Sequence, residues 1–156
     1  MNLKIWPDAS LKKKCKPVDD FNEYLWNLLD EMRGVLEDYK AQGLASNQIG
    51  IDLQVLLLRD KQGIIMEIIN PKILGEEQSQ YENEACLSFP GITVKIERPR
   101  YINFEYYDRH GERREAIAAD VEAICLKHEM EHLSGQTILN RVNRKERKRI
   151  EAELDK

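Results

Sequence analysis

The chain has 156 residues, of which 42% are hydrophobic and 33% charged, with a formal net charge of −4. That length suffices for one domain with a real core, and the mild acidity points to neither nucleic acid nor an anionic membrane. The longest strand-like apolar run, residues 55–58, is too short to span a bilayer, and the opening MNLKIWPDASLKKKC has no apolar leader core.

In chain order, residues 19–41 read as a helix. Asp19 or Asp20 caps it, and Phe21, Leu25, Leu28, Met32, Val35 or Leu36, and Tyr39 recur at helical spacing. Gly43 sits just past its end, where helices stop. QVLLLR (54–59) reads as a buried strand, Asp60 to Gly63 as a turn, and IIMEIIN (64–70) as the returning strand, ended by Pro71. ITVKIE (92–97) alternates as a half-buried strand does. YINFEYYD (101–108) is another, and Arg109 to Gly111 turns into a shorter one near 112–118. Asp120 is placed to cap a second helix from Val121 to about Ser134, with Gly135 just beyond it. A short, highly charged helical tail occupies 143–156. Two helices about mostly antiparallel strands make an α+β fold, with one domain over 1–156.

The second helix carries H128-E-M-E-H132. Residues four apart lie one turn apart on one face, so His128 and His132 can reach a single ion. Glu129, beside the first, is placed as general base, as in HExxH hydrolases. Val121, Ile124 and Cys125 recur on the same side, so the histidines belong to the buried face. Burying two imidazoles without partners is costly, and a metal removes that cost.

A catalytic site needs a third protein ligand. Glu146, Glu151 and Glu153 lie in the solvated tail, and His110 reads as a turn residue. Three cysteines make no disulfide framework, and in a reducing cytoplasm, the expected location, a functional cysteine is a ligand or a nucleophile. Cys15 lies in a lysine run and Cys125 reads as a wall residue of the helix. Cys86, at a break between strand-like segments, is the best-composed candidate.

Three stretches together resemble the peptide deformylase family: A41-Q-G-L-A-S-N-Q48, E84-A-C-L-S88 and H128-E-M-E-H132, in the family's order and spacing. The resemblance implies Cys86, His128 and His132 as metal ligands and Glu129 as the general acid/base. It implies Gln48 and the Leu87 N–H as oxyanion donors, and Gly43 as a main-chain contact to substrate. It implies one divalent ion, Fe²⁺ natively with Zn²⁺, Ni²⁺ or Co²⁺ as substitutes. The reaction implied is removal of formyl from formyl-methionyl nascent peptides, by a monomer. Val121, Ile124 and Cys125 would line a methionine pocket, or serve as plain helix core.

The chain departs from the family pattern at Ala41, Ser46, Ala85 and Glu131. The last replaces an aspartate, and Arg98 is its expected ion-pair partner. Two rivals stand beside this reading: an HExxH peptidase, which wants a downstream third ligand, and a non-catalytic relative that keeps the metal and binds peptide N-termini. Arg141 to Ile150 carries six basic residues and one acidic. This is either a solvated helix or, as in relatives, a docking element for the ribosome.

Overall fold

The computed structural model describes residues 2–155. A 3-10 turn at Ala9–Lys12 precedes helix α1 (Glu23–Asp38), strand β1 (Gly43–Ala45) and a second 3-10 turn at Ser46–Ile49. Strands β2 (Val55–Arg59), β3 (Ile65–Cys86), β4 (Phe89–Tyr107) and β5 (Arg113–Ala119) follow. Helix α2 (Val121–Leu133), a third 3-10 turn (Ile138–Arg141) and helix α3 (Arg144–Leu154) complete the chain. The strands form one antiparallel sheet in chain order. The fold is α+β, as the sequence pattern predicts.

Helix α1 is shorter than its apolar pattern at both ends. Its N-cap is Asn22, whose side chain accepts from the Leu25 N–H at 3.3 Å, not Asp19 or Asp20. Phe21 lies ahead of the helix, against the Tyr107 ring. The stop is Lys40, in the left-handed region at φ 51°, rather than Gly43. The Lys40 and Ala41 N–H groups donate to the carbonyls of Glu37 and Leu36, closing a Schellman motif with lysine where glycine is usual. Gly43 instead opens β1, paired with Leu58.

Pro71 does not end its strand. It falls in a register shift between Ile69 and Lys72, where no ladder N–H is required, beside Asn70 at φ 51°. The Asn70 amide is fixed there by two hydrogen bonds to the Val18 backbone. Residues 92–97 and 101–107 are likewise parts of one strand, β4, which runs through Pro99 paired with Ser79, while Asp108 lies just past its end. The β3–β4 hairpin turns at Leu87 and Ser88, and this places Cys86 at its tip.

Asp120 does precede α2, but its side chain makes no capping bond. Its backbone is at φ 56°, and its carboxylate faces Arg100 at 3.4 Å. Gly135, at φ 76°, closes the far end as expected. An added Cβ there would lie 2.6 Å from the Lys12 carbonyl, so only glycine fits unmoved.

Three apolar clusters surround the site. One joins α1 to β1 and β2, through Leu29, Met32, Leu36, Leu44 and Leu57. The second lies between α2 and the sheet, with Leu56, Ile68, Phe104, Ala123 and Leu126. The third gathers Phe89, Ile92, Val94 and Ile96 with Ile138, Leu139 and Ile150, and includes Cys86. Ile150 is fully buried and Leu154 packs on the same cluster, so the charged helix α3 is pinned to the core by its apolar residues.

Candidate metal centre

Three elements deliver the site. The tip of β3 brings Cys86, α2 brings His128, Glu129 and His132, and the 3-10 turn after β1 brings Gln48. All five side chains are buried. The Cys86 Sγ and one nitrogen from each histidine lie within 4.8 Å of one another, and they are the one such donor group among the described residues. The two Nε2 atoms are 3.2 Å apart, and Cys86 Sγ is 3.3 Å from His132 Nε2. A thiol and two imidazole nitrogens converging in a buried place are a borderline-soft donor set suited to a first-row divalent ion.

The surroundings fit that charge. His128 Nδ1 faces Glu84 Oε1 at 3.0 Å, which holds the Nδ1–H tautomer and leaves Nε2 free to ligate. Burial works against ionisation of Glu84, but hydrogen bonds from His128 and Arg98 outweigh it and hold its carboxyl below the usual range. Burial likewise disfavours a charged His128. Glu129, Cys86 and Glu84 overcome this and push it well above the ordinary histidine value. Burial and the neighbouring charge of His128 keep His132 neutral.

Glu129 is 5% exposed, and its Oε1 is buried with no hydrogen-bond partner. Burial pushes its carboxyl up to about 7. It is packed against β1: a Cβ built on Gly43 would lie 2.7 Å from Glu129 Oε2. Gln48 is held by its own backbone, its Oε1 accepting from the Ala45 N–H at 2.9 Å. Its Nε2 is thereby turned to Ser88 Oγ at 3.1 Å and toward Cys86 Sγ at 3.7 Å.

A cleft of about 460 Å³ opens over these groups. Gly43, Leu87, Val121, Ile124, Cys125, His128 and Glu129 are among the residues that line it, whereas Gln48, Cys86 and His132 are not. Val121 is 61% exposed at the mouth rather than on the buried helix face. Burial pushes the Cys125 thiol up to about 12, so it is a neutral wall rather than a ligand. Cys15 is core, its thiol raised to about 11 by burial, and His110 is exposed in the β4–β5 turn. Ala85 has no positive φ and pairs with Thr93, so the alanine is unstrained.

Sequence reasoning left other groups without a role. Glu84 was visible in its motif, and strand alternation puts it on the same face as Cys86. Tyr39, Lys40, Gln42 and Asn83 also line the cleft, and nothing in their types announced it. Arg98 meets Glu131 as expected, at 2.6 Å, but it also grips Glu84 through Nε at 2.7 Å and Nη2 at 2.9 Å.

A Cys/His/His donor set beneath a cleft, with a buried carboxylate beside it, is the architecture of a metal-dependent hydrolase. Comparison with known proteins narrows the class. The family model for polypeptide deformylase matches residues 1–148. The peptide deformylase of Thermoanaerobacter pseudethanolicus is 36% identical over 137 residues, covering 88% of this chain and 86% of the relative. Peptide deformylase 1 of Shewanella oneidensis is 33% identical over 153 residues, 97% of this chain and 91% of the relative. The crystal structure of a peptide deformylase from Legionella pneumophila superposes with a TM-score of 0.94 at 30% identity, covering 99% of this chain and 92% of that one. Peptide deformylase 1B of Arabidopsis thaliana, solved with an inhibitor, gives 0.92 at 31% identity, covering 99% and 88%. The chain belongs to the peptide deformylase family.

Proposed function

We propose that the protein removes the formyl group from the N-terminal formyl-methionine of nascent polypeptides. The observation that carries this is the convergence of Cys86, His128 and His132 beneath a cleft walled by Gly43, Leu87 and Glu129. Cys86, His128 and His132 would hold one divalent ion, Fe²⁺ natively, with Zn²⁺, Ni²⁺ or Co²⁺ as substitutes. Such an ion supplies Lewis acidity and lowers the pKa of water towards neutrality.

The residues of the chain do the rest. The side-chain amide of Gln48 and the N–H of Leu87 donate to the formyl oxygen as it gains negative charge, each worth roughly 10²–10³ in rate. Glu129 takes the proton from the attacking water and returns it to the departing amine. A C–O bond to water forms, the C–N bond breaks, and formate and a free methionyl amine result. The backbone of Gly43 contacts the substrate, and Val121, Ile124 and Cys125 take the methionine side chain. Gly43 approaches Glu129 so closely that the reacting space suits formyl, the smallest acyl group.

A peptidase of the HExxH class finds no support. Two of the three downstream carboxylates are committed to neighbouring arginines, Glu146 to Arg149 and Glu151 to Arg147. The non-catalytic reading leaves the buried Glu129 and the oriented Gln48 without purpose. The protein acts as a cytoplasmic monomer, and the basic residues of α3 dock it to the ribosome where its substrate emerges. No helix among the described residues is long and apolar enough to cross a membrane. The test is formate release from a formyl-Met peptide by anaerobically purified protein, with metal analysis. Stoichiometric metal with turnover supports the reading. Bound metal without formate release from such peptides removes it.

A further inference from the structure

Glu131 is a buried residue of α2 whose two oxygens go to two different arginines. Oε1 accepts from Arg98 Nη1 at 2.6 Å. Oε2 accepts from Arg141 Nε at 2.6 Å and also from Arg141 Nη2. Arg98 gives Nε and Nη2 to Glu84. Glu84 Oε1 in turn serves both Arg98 and the Nδ1 of His128. Charge therefore alternates along Arg141, Glu131, Arg98 and Glu84, and the series ends on an imidazole of the donor set.

We propose that Arg141 is a positioning residue for the metal centre. It holds Glu131 so that Arg98 divides its donors between two carboxylates. Glu84 then keeps the Nε2 of His128 aimed at Cys86 and His132. The inference rests on reading those three residues as a metal site.

The physical case is one of unequal exposure. Arg98 is 2% exposed and cannot recruit water in place of a lost partner. The Arg141 side chain is 40% exposed, so its removal opens no core cavity. Its loss would nevertheless leave a buried Glu131 oxygen without a cation, which is costly. The nearest compensating charge is Arg98. Any drift of that guanidinium towards Glu131 withdraws Nη2 from Glu84 Oε1, the atom that fixes the His128 ring. The reach also needs a glutamate. Aspartate is shorter by one C–C bond, about 1.5 Å, and cannot meet both arginines without moving the backbone. Arg141 ends the 3-10 turn that joins α2 to α3, so the pinned tail helix is mechanically continuous with the ligand set.

The test measures transfer of Zn²⁺ from the loaded protein to a chelator, alongside kcat, KM and thermal melting. Wild type, Arg141→Ala, Arg141→Lys and Arg113→Ala are compared, with Cys86→Ser as the variant expected to lose the ion. Arg113 is an exposed arginine of β5 paired with Glu105 of β4 and controls for loss of a surface ion pair. Arg141→Ala is expected to release zinc about threefold to tenfold faster, at or below the lower end of the range for losing an outer-shell partner. KM should stay within about twofold, Arg141→Lys should fall between, and Arg113→Ala should match wild type. Glu131→Gln with Arg141→Ala should release zinc no faster than Glu131→Gln alone, because one acts through the other. Unchanged release by Arg141→Ala overturns the inference, as does a rise in KM with release unaffected. If Arg141→Ala fails to fold, Arg141→Lys and Glu131→Gln are combined instead, and simple additivity overturns it. Wild-type protein that holds no ion would overturn the metal reading itself, a result distinct from all of these.

Discussion

Replacing Gly43 by alanine probes the tightest contact in the cleft. The new Cβ would lie 2.7 Å from Glu129 Oε2, 3.1 Å from Cγ and 3.2 Å from Cδ, whereas ordinary contact begins at 3.4 Å. Restoring contact with Oε2 alone requires a displacement of about 0.7 Å (3.4 less 2.7). Glu129 has little room to give, since it is 5% exposed and lies on a helix packed against the sheet. A displacement approaching 1 Å of a reacting group costs on the order of 10²-fold, so kcat should fall roughly 30- to 100-fold, about 2–2.7 kcal/mol of barrier. The three atoms nearest the new methyl all belong to Glu129 and none to Cys86, His128 or His132, so metal content should stay stoichiometric. Formate release would be followed against peptide concentration, to separate kcat from KM, with metal analysis and a melting curve on the same sample. A variant with full metal, wild-type melting and kcat within threefold of wild type would refute both the claimed tightness and the role of Glu129.

Glu129→Gln should keep the metal and the fold but lose most of kcat, commonly 10²–10⁴-fold for a lost general base. Retained metal with near wild-type turnover would remove the assignment. For the tail, truncation is the wrong perturbation, because Ile150 and Leu154 pack on the cluster that contains Cys86. Exchanging the exposed Arg144, Lys145 and Lys148 for glutamate should leave turnover on a short peptide intact and abolish salt-sensitive co-sedimentation with ribosomes. Equal sedimentation of both proteins at low salt would count against docking. Glu67 accepts from Arg33 at 2.9 Å and from Arg109 at 2.7 and 2.8 Å, and joins α1 to the sheet. Burial raises its pKa, but the two arginines prevail and the folded value lies below the ordinary 4.5. A depressed carboxyl stabilises the fold above its unfolded pKa, and that contribution is lost as pH falls through the folded value. The stability gap between wild type and Glu67→Gln should therefore be full at pH 7 and shrink below about pH 4.5, read from denaturant midpoints. A gap independent of pH would contradict it.

Much of this site was legible before folding, and the reason is chemical. Metal ligation demands particular side chains, and a helix puts residues four apart on one face, so His128 and His132 announced themselves. The elements around them were legible where punctuation coincided with pattern, as at α2, bounded by Asp120 and Gly135. The long hairpin was not. Pro71 read as a stop because proline lacks a ladder donor, and the segments on either side of Pro99, 92–97 and 101–108, read as two strands. Yet one sits in a bulge and the other pairs with Ser79 without ending β4, so the strands run 22 and 19 residues. The helix stop at Lys40 was hidden for the opposite reason: a residue that dislikes positive φ occupies it. Glu84 carried the right chemistry, but its role depends on Arg98 and His128 meeting it from distant parts of the chain.

The buried polar residues show why these parts must meet. Ser46, Asn47, Gln48, Glu84, Ser88, Arg98, His128, Glu129, Glu131 and His132 are all buried. They come from the turn after β1, the β3–β4 hairpin and α2, and few of them would be favourable in an apolar core alone. Most are satisfied by one another across those elements. The Asn47 amide donates to the His132 carbonyl, Gln48 to Ser88, and Arg98 to Glu84 and Glu131. Each such bond fixes one element against another at the metal centre, so ligand geometry is set by contacts that also hold the fold together. The unsatisfied side-chain atoms among the described buried groups are Asn47 Oδ1, Glu129 Oε1 and His132 Nδ1. Two belong to residues given a chemical task here and the third to the residue that anchors His132. Of the three, Glu129 Oε1 belongs to the proposed general base, and a buried polar atom left without a partner there is the pattern expected when stability is yielded to function.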